Sequence, residues 1–365
     1  MQPKILFILH LPPPIHGAAM VGKYIQDSKL INKKFDCRYI NLSTSKNLQE
    51  IGKVRISKLT DYFKLLVHIY RTVKKEKPDL CYVTPSMRKL GFYKDSLIII
   101  MLKMMNVKIV AHYHNKGLSK WADNPMDNLF CRLFFKKLKV ILLADTLYPD
   151  IQKYVERKDV FICPNGISKI QDVKGKKEKT LPHILFLSNM MKDKGVWDLV
   201  NACKIIKENG VSFHCDFVGK WSDIDETSFN EKIKEDNLSS NITAHGAKYG
   251  NDKNIFFENC DIFVFPTFYF NECFPLVLLE AMQQGIPCIS TNEGGIPDII
   301  ENEETGYIVS KHNPQELAEK ITLLIKNPEL CKQMGEAGKK KFEKEFTIEQ
   351  FEKRFVGILT CIIDQ

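Results

Sequence analysis

The 365-residue chain has no apolar run long enough to cross a bilayer. A spanning helix needs about 20 consecutive apolar residues; the nearest candidate, 97–110, is interrupted by Lys103 and Lys108. A secretory leader is also missing from the pattern: Ile5–Leu9 is too short, and Pro12-Pro13-Pro14 follows where a small-residue cleavage site would stand. No C-x-x-C pair occurs, and the 11 cysteines are odd in number and scattered from Cys37 to Cys361, which excludes a zinc ribbon or a disulfide framework and predicts reduced thiols in a cytoplasmic protein. Short repeats and low-complexity tracts are lacking as well. With 44% apolar and 27% charged residues the composition is that of a globular chain, and its length suggests about two domains.

Charge is unevenly spread. Residues 1–170 hold 30 Lys and Arg against 13 Asp and Glu, whereas residues 171–365 hold 23 against 31. A basic half beside an acidic half points to an anionic partner for the first: nucleic acid, acidic lipid or a phosphorylated ligand. The basic residues lie in helical patterns without a recognition motif for nucleic acid, so no nucleic-acid partner is expected.

Short β-branched runs alternate with longer amphipathic stretches. Six strands are predicted in the first half (5–9, 37–41, 80–83, 107–112, 140–143 and 160–163), with helical patterns such as 59–74 and 125–137 between them. A lysine-rich polar stretch, 168–180, reads as a linker. The rhythm then restarts with strands at 183–187, 213–218, 242–244, 262–265, 288–290 and 307–309, and turns wholly helical from Pro314. This order predicts an α/β fold with two Rossmann-like parallel-sheet domains in series, at 1–168 and 169–345, followed by a helix at 346–365.

Two segments carry chemistry. Gly17 to Tyr24 follows a strand and opens a helix, and fits G-x-x-x-x-G-K. A P-loop needs a Ser or Thr hydroxyl where Tyr24 stands, so the fit is poor; a glycine turn at a helix N-terminus, able to meet an anion through free N–H groups, is the competing reading. The denser signal is 271–309. Glu272 and Glu280 flank an apolar run in which a helix begins near Pro275, a residue suited to a first turn because it lacks an N–H. The N–H groups of Phe274, Leu276 and Val277 then face an anion, and a carboxylate accepting from two adjacent hydroxyls suits a ribose or sugar diol. Asp223-Ile224-Asp225, a D-x-D that can hold Mn²⁺ in some transferases, sits in a polar run away from this segment and reads as a solvated acidic loop.

The 271–309 segment resembles the E-x7-E signature of retaining GT-B glycosyltransferases, the glycosyltransferase family 4. Glu272, Phe274, Leu276, Val277, Glu280, Ala281, Met282, Gly285 and Pro287 match in order, as do Gly294, Gly295, Gly306 and Val309, while Cys273 and Pro275 replace two glycines. Pro164-Asn165-Gly166-Ile167, Lys194-Gly195 and Ile262–Thr267 resemble further family marks. The resemblance implies a GT-B fold with a central cleft, a nucleotide-sugar donor (UDP- or GDP-sugar) on the C-terminal domain and a glycan or polyprenyl-diphosphate-linked acceptor on the N-terminal one. It implies retaining hexosyl or N-acetylhexosaminyl transfer without metal or other cofactor, in bacterial surface polysaccharide or glycolipid synthesis. By the same resemblance His114, Lys194 and Glu272 are catalytic, and Gly17, Asn189, Lys194, Phe274, Pro275, Leu276, Val277 and Glu280 bind donor. Asn189 departs from the family, which places an arginine there. Alternatives are a sugar-nucleotide epimerase or phosphorylase of similar fold, or a non-catalytic binder. Segments 128–140 and 62–77 interleave apolar and basic residues, a pattern that fits a peripheral position on an anionic membrane surface.

Overall fold

The computed structural model describes residues 2–13, 17–43, 56–169 and 181–365. Most of the 168–180 segment therefore lies outside the described residues.

Met1–Gly166 together with Ile348–Gln365 form one compact unit, and Ile167–Thr347 form a second. Among the described residues the first holds six strands: β1 (Lys4–Leu9), β2 (Asp36–Asn41), β3 (Leu80–Val83), β4 (Ile109–His112), β5 (Lys139–Leu142) and β6 (Val160–Ile162). They pair in parallel in the order β2-β1-β3-β4-β5-β6. β3 and β4 are buried along their whole length. Strands covered on both faces read as unbroken apolar runs, which is why they stood out in the sequence.

Helices α1 (Gly17–Asp27) and α2 (Lys29–Lys34) connect β1 to β2. Ser28 caps α2 by accepting the Ile31 N–H. Three further crossovers, α3 (Ile56–Glu76), α4 (Lys89–Met104) and α5 (Pro125–Phe135), follow β2, β3 and β4. The apolar 97–110 stretch thus splits between the end of α4 and the start of β4. Among the described residues no helix is long and apolar enough to cross a membrane.

The second unit repeats the plan with β7 (His183–Leu187), α6 (Val196–Glu208), β8 (His214–Val218), α7 (Glu226–Glu235), β9 (Ile242–Ala244), α8 (Asn251–Glu258), β10 (Ile262–Phe265), α9 (Leu276–Gln283), β11 (Cys288–Thr291), α10 (Ile296–Ile299) and β12 (Gly306–Val309). Its sheet is also parallel throughout, ordered β12-β11-β10-β7-β8-β9. α11 (Pro314–Lys326) and α12 (Pro328–Glu345) close this unit.

α13 (Ile348–Asp364) belongs to the first unit. Its Phe351, Phe355, Leu359 and Ile362 are buried in the same apolar cluster as Phe7, Val21, Ile25 and Tyr82. The Phe355 ring meets that of Tyr82 edge-on at 5.2 Å. The chain passes between units at Gly166–Ile167 and returns at Thr347–Ile348; Ile167 is bridged to Thr347, and its N–H donates to the Phe346 carbonyl at 3.0 Å.

All 11 cysteines are free thiols, eight of them buried. Cys260 and Cys273 lie in the core with Phe257, Phe263 and Phe274, as small apolar side chains.

Candidate functional site

Two glutamates bracket the start of α9 in the second unit. Glu272 sits in the loop after β10, with its N–H donated to the Tyr269 carbonyl at 2.8 Å. Gly294 fixes this loop from the other side. Its φ is +58°, and a Cβ there would stand 2.3 Å from the Glu272 carbonyl oxygen, so no side chain fits. The Gly295 N–H donates to the Cys273 carbonyl at 2.7 Å. The second glycine turn of the motif is therefore a backbone brace for Glu272.

Lys194 reaches the same carboxylate. Its Nζ donates to Glu272 Oε2 at 2.5 Å, and the ammonium lies 4.5 Å from the Tyr269 ring centroid and 5.4 Å from that of Phe265. Side-chain exposure is 13% for Lys194 and 12% for Glu272, so the pair is largely withdrawn from water. The Lys194 segment, a 3₁₀ turn over Lys192–Lys194, is anchored by its backbone. The Phe268 N–H donates to the Asp193 carbonyl at 2.8 Å, and Asp223 accepts the Lys192 N–H at 3.1 Å.

That last bond explains the D-x-D, expected to be a solvated loop. Asp223 braces the lysine loop, and Asp225 is the N-cap of α7, accepting the Ser228 N–H at 2.9 Å. Both carboxylates are engaged by backbone.

α9 begins at Leu276, one residue later than the sequence implied. Pro275 is its N-cap, with φ −71° and ψ 113°, and makes no side-chain cap. Pro275 therefore precedes the first turn; its extended backbone turns the chain into the helix. Leu276 and Val277 occupy the first turn, where N–H groups have no intrahelical acceptor, and the helix dipole adds positive potential there.

Glu280 lies farther along α9. Lys253 on α8 donates to its Oε1 at 2.6 Å, while its Oε2 is buried without a hydrogen-bond partner. Lys253 is a residue the sequence did not reveal. It stands 27 positions before Glu280 on another helix, and no spacing rule links them. Asn189, at the end of β7, is exposed; Ser188-Asn189 carry no charge where a cation was expected, so Lys194 and Lys253 are the cations paired with the motif's two glutamates.

The remaining expected residues belong to the first unit. Gly17 is the first residue of α1, with nothing within 4 Å of a would-be Cβ. Gly22, the second glycine of the G-x-x-x-x-G-K match, has a packing reason: a Cβ there would lie 2.0 Å from the His10 carbonyl oxygen. Lys23 is paired with Asp27 at 2.8 Å on the exposed side of the helix. The P-loop reading is thereby replaced by close packing of α1 on the end of β1.

His114 follows β4 and is half-buried. Its ring lies 4.3 Å from that of His112. His112 is fully buried and shares a 2.7 Å hydrogen bond between its Nδ1 and the Tyr82 hydroxyl. Burial, with a smaller contribution from His114, holds the His112 pKa well below the usual imidazole value, so this ring is neutral. The neighbouring Asn115 accepts the Met87 N–H at 2.6 Å, tying the loop after β4 to the loop before α4.

The order of these features, from Lys194-Gly195 through the glutamate pair to Gly306, lies within residues 168–341, which match the family described as Glycosyl transferases group 1. Over that segment, just under half of the chain, the protein is similar to the glycosyl transferases group 1 family.

Among its relatives is the capsular polysaccharide biosynthesis glycosyltransferase CapM of Staphylococcus aureus, 33% identical over 165 residues, or 44% of this chain and 41% of CapM. The N-acetyl-alpha-D-glucosaminyl L-malate synthase of Bacillus anthracis is 26% identical over 69% of this chain and 68% of its own. The chain spans about half the length of several curated relatives it matches. Among solved structures, Anabaena HepE in complex with UDP superposes with a TM-score of 0.74 at 16% identity, covering 98% of this chain and all of that one. The fold is GT-B.

Proposed function

We propose that the chain is a retaining glycosyltransferase that moves a hexosyl or N-acetylhexosaminyl group from a UDP- or GDP-sugar to a glycan or lipid-linked acceptor in surface polysaccharide assembly. The observation that carries this reading is the pair of half-buried lysine–glutamate contacts, Lys194–Glu272 at the loop before α9 and Lys253–Glu280 along it. The names of the relatives support it: CapM acts in capsular polysaccharide biosynthesis, the Bacillus anthracis enzyme joins an N-acetylglucosaminyl group to malate, and HepE holds UDP.

In this reading the second unit takes the donor. The diphosphate lies against the N–H groups of Phe274, Leu276 and Val277 and draws Lys194 away from Glu272. The freed Glu272 carboxylate then accepts from hydroxyls of the transferred sugar. Glu280, held at Oε1 by Lys253, offers its unpartnered Oε2 to a ribose hydroxyl. As the C1–O bond of the donor breaks, its electron pair passes to the diphosphate, and the lysine ammonium and helix N–H groups stabilise that charge. The acceptor oxygen bonds C1 on the face the diphosphate leaves, and its proton passes to a diphosphate oxygen. No step needs a metal. Gly17 and His114 belong to the first unit, which takes the acceptor; His114 is assigned to the sugar and Gly17 to the donor phosphate. Asn189 donates hydrogen bonds to the diphosphate without adding charge. A peripheral position on an anionic membrane surface, where a lipid-linked acceptor presents its sugar, belongs to the same reading.

Calorimetric titration with UDP and GDP in EDTA tests it. One nucleotide is expected to bind without metal, with affinity lost in Glu280→Ala. Binding of neither, or binding untouched by that substitution, rejects the reading.

A further inference from the structure

The outer side of the first unit carries an apolar surface that the donor site does not use. Helices α3, α4 and α5 lie side by side on one face of its sheet. The Tyr62 hydroxyl of α3 donates to the Lys94 carbonyl of α4 at 2.5 Å, and Phe92 of α4 packs on Phe134 of α5 at 4.6 Å. Each helix buries one stripe against the sheet and turns a second apolar stripe outward. On α4 that stripe is Leu90, Leu97 and Met104, spaced seven residues apart so that they stand above one another; Leu90 is 79% and Met104 84% exposed. On α5, Met126, Leu129 and Leu133 recur at helical spacing, with Met126 82% exposed. α3 adds Phe63 and Tyr70. Of the apolar residues interleaved with basic ones in 128–140, Phe134 is buried and Phe130 half-buried. The outward face is therefore narrower on α5 than the sequence suggested, and it continues onto α4 and α3.

Scattered apolar side chains on a surface need no explanation, but exposed apolar stripes on three neighbouring helices mark an interaction site. The charge around it says which partner fits. Residues 56–140 contain 17 Lys and Arg against six Asp and Glu. The acids within the helices are largely withdrawn: Asp95 is buried beside Lys94, and Asp127 is buried under Lys89 and the Tyr93 hydroxyl. Asp61 alone among them is exposed. The cations point outward: Lys64, Arg71 and Lys74 on α3, and Arg132, Lys136 and Lys137 at the end of α5. Lys64 pairs with Asp61 at 3.8 Å, and an apolar stripe rimmed by cations in excess of acids fits a sheet of anionic headgroups over hydrocarbon. None of these helices can cross the bilayer, so the face lies on it.

We infer that the outer face of α3, α4 and α5 docks on an anionic lipid bilayer, inserting Leu97, Leu129 and Leu133 and their stripe neighbours between headgroups that the flanking lysines and arginines neutralise. This rests on the membrane part of the proposed function, and its test does not pass through transfer.

The test is co-flotation of the full chain with phosphatidylcholine vesicles, with and without about 30 mol% phosphatidylglycerol. Binding to the anionic vesicles is expected, and weaker binding once salt is raised from about 0.1 M to about 1 M. Arg132→Gln/Lys136→Gln/Lys137→Gln should weaken binding by about a hundredfold, and Leu97→Ser/Leu129→Ser/Leu133→Ser by at least about tenfold. All six side chains are exposed, so both variants should keep the circular dichroism and the UDP or GDP affinity of the wild type. No flotation by the wild type, or flotation equally strong in the serine variant, overturns the inference. A dimer that the serine variant dissociates, with no vesicle binding, overturns it in favour of a second copy on this face. Nucleotide binding in the same preparations keeps failure of the docking face distinct from failure of the donor site.

Discussion

Glu272→Gln should make the protein bind nucleotide diphosphate more tightly while it transfers sugar more slowly. In the free protein Lys194 is committed to Glu272 at 2.5 Å, with both side chains about one-eighth exposed. A diphosphate can recruit that ammonium only by displacing the carboxylate. At an effective dielectric constant near 20 the pair attraction is about 7 kcal/mol gross. Most of it is regained when phosphate oxygens replace carboxylate oxygens; the part lost is the net worth of one charge-assisted hydrogen bond, about 1.5–3 kcal/mol. Glutamine keeps the shape, surrenders the charge and holds Lys194 weakly. UDP or GDP affinity should then rise by about tenfold to a hundredfold, while the rate of sugar transfer falls by about a hundredfold or more, because the group that orients the sugar has lost its acceptor strength. Calorimetry of the nucleotide without its sugar reads the first effect, and product formation with the sugar nucleotide reads the second. An unchanged or weakened nucleotide affinity would refute the exchange of Lys194 between carboxylate and phosphate.

Three further outcomes follow from the same geometry. Lys253→Met should cost about tenfold in nucleotide affinity, and combining it with Glu280→Ala should add little, since both remove one unit; a strictly additive double-mutant cycle would separate them. His112 titrates below its unfolded value, so the unfolded chain binds its proton first and stability falls as pH drops below about 6.5, by up to about 1.4 kcal/mol per pH unit from this group. Urea unfolding at pH 7.5 and 5.5 should show that loss shrinking in His112→Phe, and an equal loss in both proteins would count against a neutral buried ring. Phe355→Ala should destabilise the first unit by about 3–5 kcal/mol, because its ring packs on Phe7, Tyr82 and Phe351; a melting curve within a degree of wild type would show that α13 is dispensable.

The strands of the described residues were legible because parallel sheets buried on both faces leave short apolar runs, and runs such as 80–83, 183–187 and 262–265 match the strands residue for residue. Helix ends were less so. Pro275 reads as a first-turn residue but serves as the cap, since its ψ of 113° is extended, a distinction composition does not carry. Within the site, Glu272 and Glu280 were found through a dense run of matching positions. Lys253 was invisible, because its contact depends on how α8 lies beside α9, which no local spacing reports. The role of Gly22 was not legible for a related reason: a glycine that clears a carbonyl and one that cradles a phosphate look alike in sequence. The docking face was half-seen, since periodicity located the amphipathic helices but could not say which apolar side chains turn outward.

The return of α13 to the first unit bears on how the chain is made. A ribosome delivers residues 1–166 before the second unit, yet four core side chains of the first unit, Phe351, Phe355, Leu359 and Ile362, come from α13, beyond that whole second unit. Burying them is worth at most about 6–12 kcal/mol, comparable to the whole stability of an average domain. The second unit, continuous from Ile167 to Thr347, can complete itself while the tail is still in the exit tunnel. The N-terminal half must wait, holding its apolar sheet face uncovered until α13 emerges, and so reverses the usual N-to-C order of domain folding during synthesis.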